Sequence, residues 1–176
     1  MRAMTTKKRE PTFRGTPEDV LGWREWIALP QLGVETIKAK VDTGARTSSL
    51  HAFDMEEFVR RGREMVRFVI HPEQRNSRHA FEVEVPIHDR REVRPSSGHV
   101  ELRPVIKTTL EVLGLRWEAE LTLTRRDEMG FRMLLGRQAI RGRFLVDPGK
   151  SFLNGKRVKG KRKLKPNSAP AKKRQC

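Results

Sequence analysis

The sequence has few of the features of a disulfide-stabilised or membrane-inserted protein. It holds a single cysteine, Cys176, among 176 residues. One cysteine cannot form an internal disulfide, which suits a fold made in a reducing compartment. No stretch approaches the roughly 18 consecutive apolar residues of a membrane helix, and the polar N-terminal stretch has no apolar core of a signal peptide. We therefore expect a soluble, cytoplasmic protein that does not contact a membrane.

The short motifs of zinc and ATP sites are also missing. The sequence contains no H-E-x-x-H and no G-x-x-x-x-G-K-[ST] phosphate loop. His71 and His79 lie eight residues apart without a cysteine nearby, and His88, Asp89 and Glu92 share a predicted turn. Isolated, exposed histidines explain both groups better than a metal site does. The sequence thus predicts no cofactor and no metal, with a zinc metallopeptidase as the weaker alternative.

Acidic residues are absent from the last part of the chain. Residues 154–176 hold ten Lys or Arg and no Asp or Glu, whereas residues 11–153 carry only +3 of the net charge of +16. Such a segment cannot bury enough apolar surface to fold, so we predict a disordered basic tail. Through residues 156–174 it could bind RNA or DNA phosphates. No aromatic side chains are interleaved to stack on bases, so such binding should be nonspecific.

The remaining pattern indicates one folded domain of β-strands. Hydrophobic residues make up 36% of the sequence and charged residues 34%, and 176 residues suffice for one domain. We predict a loose arm over residues 1–19, one domain over 20–153 and the tail over 154–176. Apolar residues recur with period two, with turn signals every 8–12 residues, which is typical of a closed or nearly closed all-β barrel. A single short helix is expected around Arg137–Arg141.

The pattern predicts a hairpin in one segment and a strand with two different faces in another. Residues 54–61 have apolar spacing that a helix could use, but Gly62 and the flanking strands favour a hairpin. Residues 34–42 alternate strictly, as a strand with two different faces does. One predicted face carries Val34, Thr36, Lys38, Lys40 and Asp42, and the other carries Glu35, Ile37, Ala39 and Val41.

The turn "DTGA" at residues 42–45 is the strongest indication of chemistry. On its own it is an ordinary turn, because an aspartate accepts hydrogen bonds from backbone N–H groups two residues on. Its context is more specific: an apolar strand leads into Asp42, and Ala45 follows the glycine. A second segment, "MLLGRQAI" (Met133–Ile140), places two apolar residues before a glycine near the end of the domain. Together these features are typical of one lobe of an aspartic peptidase.

Four stretches resemble one bacterial family: "WREWIALPQLGVETIKAKVDTGARTSSLHAF", "SSGHVELRPVIKT", "RWEAELTLTRRDEMGFRMLLGRQAI" and "FLVDPGKSFL". The family is that of the RimK-associated "ATP-dependent zinc proteases", which are retropepsin-like aspartic peptidases. The resemblance implies a retropepsin-like barrel in which Asp42 is the catalytic aspartate and Thr43 and Gly44 complete its loop. The residues expected to support this loop are Ala45, Leu134, Leu135 and Gly136.

The same resemblance implies a homodimer. Aspartic peptidases need two carboxylates that share one proton around a water molecule, so that one acts as base and the other as acid. This chain has one D-T-G and one "LLG", so it encodes a single lobe. Two copies would meet across a two-fold axis, each contributing Asp42, with Thr43 hydrogen-bonded across the axis. Retropepsins also cover the substrate with a hairpin flap. Residues 91–104, with Ser96, Ser97 and Gly98 at the tip, are the best match, although an ordinary exposed hairpin fits equally well.

Basic residues around Asp42 depart from the retroviral pattern. There the residue four after the aspartate is acidic and pairs with the arginine after the "LLG"-type glycine. Here that residue is Arg46, which cannot pair with Arg137, so the loop must be held differently. The positive charges of Lys40 and Arg46 could serve to bind an acidic peptide. Because the family is associated with a ligase that adds glutamates to a ribosomal protein, we expect a glutamate-rich extension as substrate. The alternative is a non-catalytic barrel that binds a peptide or the ribosome.

Overall fold

The structure, a computed structural model, describes residues 19–73, 80–94, 98–125, 130–153 and 155. The predicted arm and tail lie outside these residues except for Asp19 and Gly155. Within the described residues the chain forms twelve strands, one short α-helix and a 3-10 turn at Pro30–Leu32. The elements are β1 (Val20–Gly22), β2 (Arg24–Leu29), β3 (Val34–Asp42), β4 (Ser48–His51), β5 (Phe53–Arg60), β6 (Arg63–Ile70), β7 (Phe81–Pro86), β8 (Asp89–Val93), β9 (Glu101–Val112), β10 (Leu115–Thr124), β11 (Met133–Gly136), α1 (Arg137–Ile140) and β12 (Leu145–Asp147).

Six strands close into a barrel. Their order is β10-β4-β11-β3-β2-β9, and β9 pairs back with β10 to complete the ring. The β9–β10 hairpin turns at Leu113 and Gly114, whose φ angles are both positive, at 49° and 74°. Strand β8 extends the ladder along the first part of β9, and the short helix α1 follows β11 where the sequence predicts it. The predicted all-β barrel with one short helix is confirmed.

The barrel encloses one apolar core. Its strands alternate, so every second side chain points inward and loses its contact with water. Burial of each large aliphatic side chain contributes about 1.5–3 kcal/mol, and this burial sets which face of each strand turns inward. Fully buried members of the barrel core are Ile27, Ile37, Ala39, Leu50, Ile106, Leu110, Leu121, Leu123, Met133 and Leu135.

A charged residue, Glu25, is also fully buried. A buried carboxylate is costly unless it is hydrogen-bonded. Its Oε1 accepts hydrogen bonds from the backbone N–H groups of Gly22 at 2.8 Å and Leu153 at 2.9 Å. The side chain therefore anchors the end of the described chain to the β1–β2 corner. Strand β12 pairs in parallel with β1 at the same corner.

A β-bulge makes the two faces of β3 differ from the prediction at the start of the strand. Ile37 lies opposite Ile27, but Val34 lies opposite Leu29, so the register shifts between these pairs. The extra residue reverses the alternation. Val34 is buried and Glu35 is exposed, so the prediction for these two residues was wrong. From Ile37 to Asp42 the predicted alternation is confirmed by the burial pattern.

An inserted three-stranded sheet, β5-β6-β7, follows the barrel strand β4. Residues 54–61 belong to β5 and its turn, so the hairpin is confirmed and the helix is excluded. The turn is formed by Arg61 and Gly62, with φ angles of 51° and 74°. Two consecutive positive φ angles are the geometry of tight hairpin turns, and glycine adopts it without steric cost.

The inserted sheet carries a network of ion pairs centred on Glu84. Its carboxylate contacts Arg67 at 2.8 Å and Arg60 at 2.7 Å. The hydrogen bond from Arg67, and then the one from Arg60, lowers the pKa of Glu84 from its ordinary value of 4.5. A carboxyl group whose folded pKa is depressed stabilises the fold above its unfolded pKa, and that stabilisation disappears as pH falls through the folded pKa.

We expect Glu84→Gln to weaken the dependence of stability on acid. From about pH 5 down to pH 3 the melting temperature of the wild type should fall more steeply than that of the variant. Thermal melts followed by circular dichroism at a series of pH values measure this difference. Glu35→Gln, which removes an exposed carboxylate from β3, is the matched control and should keep the steep dependence. Parallel curves for wild type and Glu84→Gln would contradict the prediction.

None of the helices within the described residues has the length and apolar character needed to cross a membrane.

Candidate active site

The loop after β3 is organised by the side chain of Asp42. Its Oδ1 accepts hydrogen bonds from the backbone N–H groups of Gly44 and Ala45, both at 3.0 Å. This is the turn that aspartate forms with the amides two and three residues on. Asp42 is half-buried at the end of the strand, whereas Thr43 and Gly44 are exposed. The carboxylate therefore organises the loop from the end of β3 and stays partly exposed to solvent.

Strand β11 lies between the two strands that flank this loop. It pairs in parallel with β3, with Gly136 opposite Asp42 and Leu135 opposite Val41. It also pairs antiparallel with β4, with Leu134 opposite Ser49. The "LLG" segment is thus brought beside the Asp42 loop although 94 positions separate Gly136 from Asp42 in the chain. This is the placement that the sequence predicts for loop support.

Gly136 is in close contact with the chain that leaves the loop. A Cβ atom built on it would lie 2.4 Å from the carbonyl carbon and oxygen of Thr47 and 2.8 Å from the amide nitrogen of Ser48. Its own N–H donates to Oγ of Ser48 at 3.0 Å, in a buried setting. Only glycine allows β11 to approach this closely, and Ser48 satisfies the amide that the approach buries.

Helix α1 braces the loop through backbone contacts. The N–H of Arg137 donates to the carbonyl of Ala45 at 2.8 Å, and the N–H of Gln138 donates to the carbonyl of Arg46 at 3.1 Å. The guanidinium of Arg137 also donates to the carbonyl of Thr43 at 3.2 Å. An acidic residue at position 46 is therefore unnecessary, because the carbonyl oxygens of the loop accept from Arg137 directly.

The predicted substrate-binding residues lie in two places. Lys40 is half-buried, two residues before Asp42 on the same face of β3, and Arg46 is exposed where the loop leaves Asp42. Gly98 is exposed with a φ of 87°, in the connection between β8 and β9, whose strands pair from Val93 opposite Glu101. The strands expected on the two sides of the hairpin over 91–104 are therefore paired. Ser97 lies outside the described residues, so the prediction for the tip stays a prediction.

The face of the sheet that carries Asp42 continues away from the loop. Because alternate residues share a face, Lys40 of β3, Leu134 of β11 and Ser49 of β4 line up across adjacent strands. Farther along are His51, Arg103 and Arg132, which no sequence motif indicates as site residues. They come from β4, β9 and the segment before β11, and no local pattern links them. Only the pairing of the strands brings them together.

No three His, Cys, Asp or Glu side chains within the described part of the chain group closely enough to hold a metal ion. His71 and His88 are separated: His71 packs edge-on against Phe53 with ring centroids 4.5 Å apart, whereas His88 lies 3.4 Å from Glu120. His79 lies outside the described residues. His71 and His88 therefore do not share a metal site.

Comparison with known proteins shows the family to which the chain belongs. The family model of the RimB-like proteins, described as retropepsin-like aspartic endopeptidase RimB, matches residues 20–157. The chain belongs to this family. The resemblance of the four sequence stretches is thereby confirmed, and the RimB-like match covers the barrel, the Asp42 loop and β11.

Curated relatives of this RimB-like chain carry a different description. A probable α-L-glutamate ligase of Shewanella halifaxensis is 48% identical over 136 residues, which are 77% of this chain and 30% of that protein. A probable α-L-glutamate ligase of Desulfotalea psychrophila is 46% identical over 129 residues, 73% of this chain and 28% of that protein. The chain thus spans less than a third of the length of these relatives.

A solved structure has a similar fold. The crystal structure of a Legionella pneumophila protein of unknown function superposes with a TM-score of 0.64 and 26% sequence identity. The match covers 77% of this chain and 97% of that one. The crystallised protein therefore shares the fold of this RimB-like chain over almost its entire length.

Proposed function

We propose that the chain is an aspartic peptidase that acts as a homodimer. The observation that carries the proposal is the Asp42 loop, in which a strand ends in an accessible carboxylate that folds its own turn. Strand β11 and Arg137 hold that turn against the barrel. The chain supplies one such loop, and hydrolysis by this class of enzyme needs two carboxylates, so a second copy completes the site.

The chemistry then follows from the pair of Asp42 side chains. One carboxylate takes a proton from the water molecule between them, and the water oxygen attacks the carbonyl carbon of the scissile peptide bond. The other, protonated, side chain donates its proton to the carbonyl oxygen, which produces a tetrahedral diol. The diol collapses when the C–N bond breaks and a proton passes to the leaving nitrogen. Like-charge repulsion keeps one proton on the pair at the start of the cycle.

We propose an acidic peptide as the substrate. Lys40 shares the face of Asp42, and Arg46 is exposed beside the loop, so a peptide lying across this face meets positive charge. The relatives named α-L-glutamate ligases each contain a stretch similar to this chain. A peptidase linked to glutamate addition would trim glutamate-rich extensions, for instance those of a ribosomal protein. Residues 156–174 would then keep the enzyme near RNA by nonspecific phosphate contacts.

The test is a cleavage assay with two matched peptides, one carrying a C-terminal run of glutamates and one without it. We expect the purified chain to hydrolyse the tailed peptide at least about tenfold faster, because the acidic run complements the basic face. Mass spectrometry of the products measures the rates and the bond cleaved. A tail of glutamines of equal length controls for length. Equal cleavage of all three peptides would contradict the acidic substrate.

A second function is favoured by the ligase relatives. In those longer proteins the similar stretch could bind an acidic peptide without cleaving it, with Asp42 serving only to fold the turn. Binding of the tailed peptide at all chain concentrations without any product would support this module and contradict the peptidase.

A further inference from the structure

The face that carries Asp42 leads into a small basic pocket. Its volume is about 40 Å³, enough for a small polar group such as a carboxylate. Three of its side chains carry or can acquire positive charge, and two others present hydroxyl groups. The residues that line it are Ser49, His51, Arg103, Thr124, Phe131, Arg132, Met133 and Leu134.

Strand register fixes the direction of the pocket from Asp42. Leu134 lies two residues before Gly136, which is opposite Asp42, and Ser49 lies opposite Leu134. Two residues of strand correspond to about 7 Å. A substrate peptide extended across the same face advances by a similar distance for each two of its residues. The charged end of the pocket lies farther along: Arg132 is four residues before Gly136, about 13 Å of strand. The pocket is therefore placed to receive a side chain roughly four residues from the bond held at Asp42.

The cationic side chains of the pocket are held by their neighbours. Arg103 is only 8% exposed, and its guanidinium is fixed by Glu101 at 3.0 Å. The guanidinium of Arg132 lies over the ring of Phe53, 4.9 Å from its centroid. His51 stacks on the same Phe53 ring, with the two ring centroids 4.1 Å apart. Such anchoring reduces the entropy that the arginines lose when they bind an anion.

The inserted sheet contributes to this arrangement. Phe53 begins β5, and the ring of His71, just after β6, packs edge-on against it at 4.5 Å. The insertion thereby supplies the ring that contacts two of the pocket residues, Arg132 and His51.

We propose that this pocket binds the side-chain carboxylate of a glutamate in the substrate peptide, and that Arg132 and Arg103 determine the preference for that residue. The inference rests on the proposed peptidase function and names the residues that read its substrate. Arg132 suits the role because a planar guanidinium donates two parallel hydrogen bonds to a carboxylate. In Arg103, Nε and one terminal nitrogen already donate to Glu101, so Arg103 offers only its remaining N–H groups. Ser49 and Thr124 supply further hydroxyl donors at the same pocket.

The test compares peptides that differ only by glutamate or glutamine at the position four residues from the cleaved bond, on each side in turn. For one of these positions we expect the wild type to prefer glutamate. Arg132→Met should lower that preference, measured as the ratio of kcat/KM values, by about 10- to 100-fold through a higher KM for the glutamate peptide. Rates on the glutamine peptide should change little.

Arg116→Met is the matched control, because Arg116 also pairs with a glutamate, Glu111 at 2.7 Å, but is not among the pocket residues. It should keep the preference. Arg132→Glu should reverse it in favour of a lysine peptide. Arg103→Met should act like Arg132→Met where thermal melts show that it folds. An unchanged ratio in Arg132→Met, or the same loss in Arg116→Met, would overturn the assignment of the pocket.

Binding by the Asp42→Asn protein separates this inference from the peptidase proposal. Fluorescence anisotropy of labelled glutamate and glutamine peptides measures the pocket without any cleavage. Tighter binding of the glutamate peptide that disappears in the Asp42→Asn, Arg132→Met double variant supports the pocket even where hydrolysis is absent. Equal binding of both peptides overturns the pocket even where hydrolysis by the wild type is observed.

Discussion

Replacing Asp42 by asparagine should lower the rate of peptide hydrolysis by about 10²–10⁴-fold, the usual contribution of a general acid or base. The substitution is nearly isosteric, and the amide oxygen of asparagine can still accept from the N–H groups of Gly44 and Ala45. The loop should therefore keep its shape while the site loses its charge. Steady-state rates together with a thermal melt of the variant measure both effects.

Two further experiments distinguish a shared aspartic site from a metallopeptidase and from a site within one chain. A chelator should leave the wild-type rate unchanged, and a loss on chelation would favour a metallopeptidase instead. Adding an excess of Asp42→Asn chain to the wild type should lower the activity per wild-type chain, because mixed dimers hold only one carboxylate. Activity that stays proportional to the wild-type chain alone would contradict the shared site. Full activity of Asp42→Asn would contradict the peptidase itself.

Replacing Gly136 by alanine should destabilise the fold by about 3 kcal/mol, near the upper end of the usual cost of overpacking. The added Cβ would lie 2.4 Å from the backbone of Thr47, and backbone on both sides cannot move aside as a flexible side chain can. A shift of β11 away from β4 would also break the hydrogen bond from Gly136 to Ser48. We expect a melting temperature lower by about 10 °C.

Gly149→Ala is the control for this substitution. A Cβ there would meet only Oδ1 of Asp147 at 3.3 Å, the end of a side chain, and should cost less than about 1 kcal/mol. Because β11 supports the Asp42 loop, the folded fraction of Gly136→Ala should also lose activity, while Gly149→Ala should keep it. Equal melting temperatures for the two variants would contradict the idea that the close contact between Gly136 and Thr47 requires glycine.

Much of the fold could be predicted from the sequence because it depends on local patterns. Period-two alternation marks the strands of a barrel whose inner face is apolar, and Gly62 marks a hairpin turn. The face assignment of Val34 and Glu35 failed for a physical reason. A bulge arises from how β3 pairs with β2, and one extra residue in that ladder reverses every alternation beyond it.

For the candidate site, the sequence by itself determined the two segments, "DTGA" and "MLLG", since each must fold a specific turn or closely approach a backbone. It also determined that one chain holds one such loop. Only the tertiary structure decided that Arg137 donates to the carbonyl of Thr43, so that Arg137 needs no acidic partner at position 46. It alone brought Arg103 and Arg132 to the face of Asp42, because neighbours across a closed barrel are set by strand order and register, which leave no signal in the linear spacing of residues.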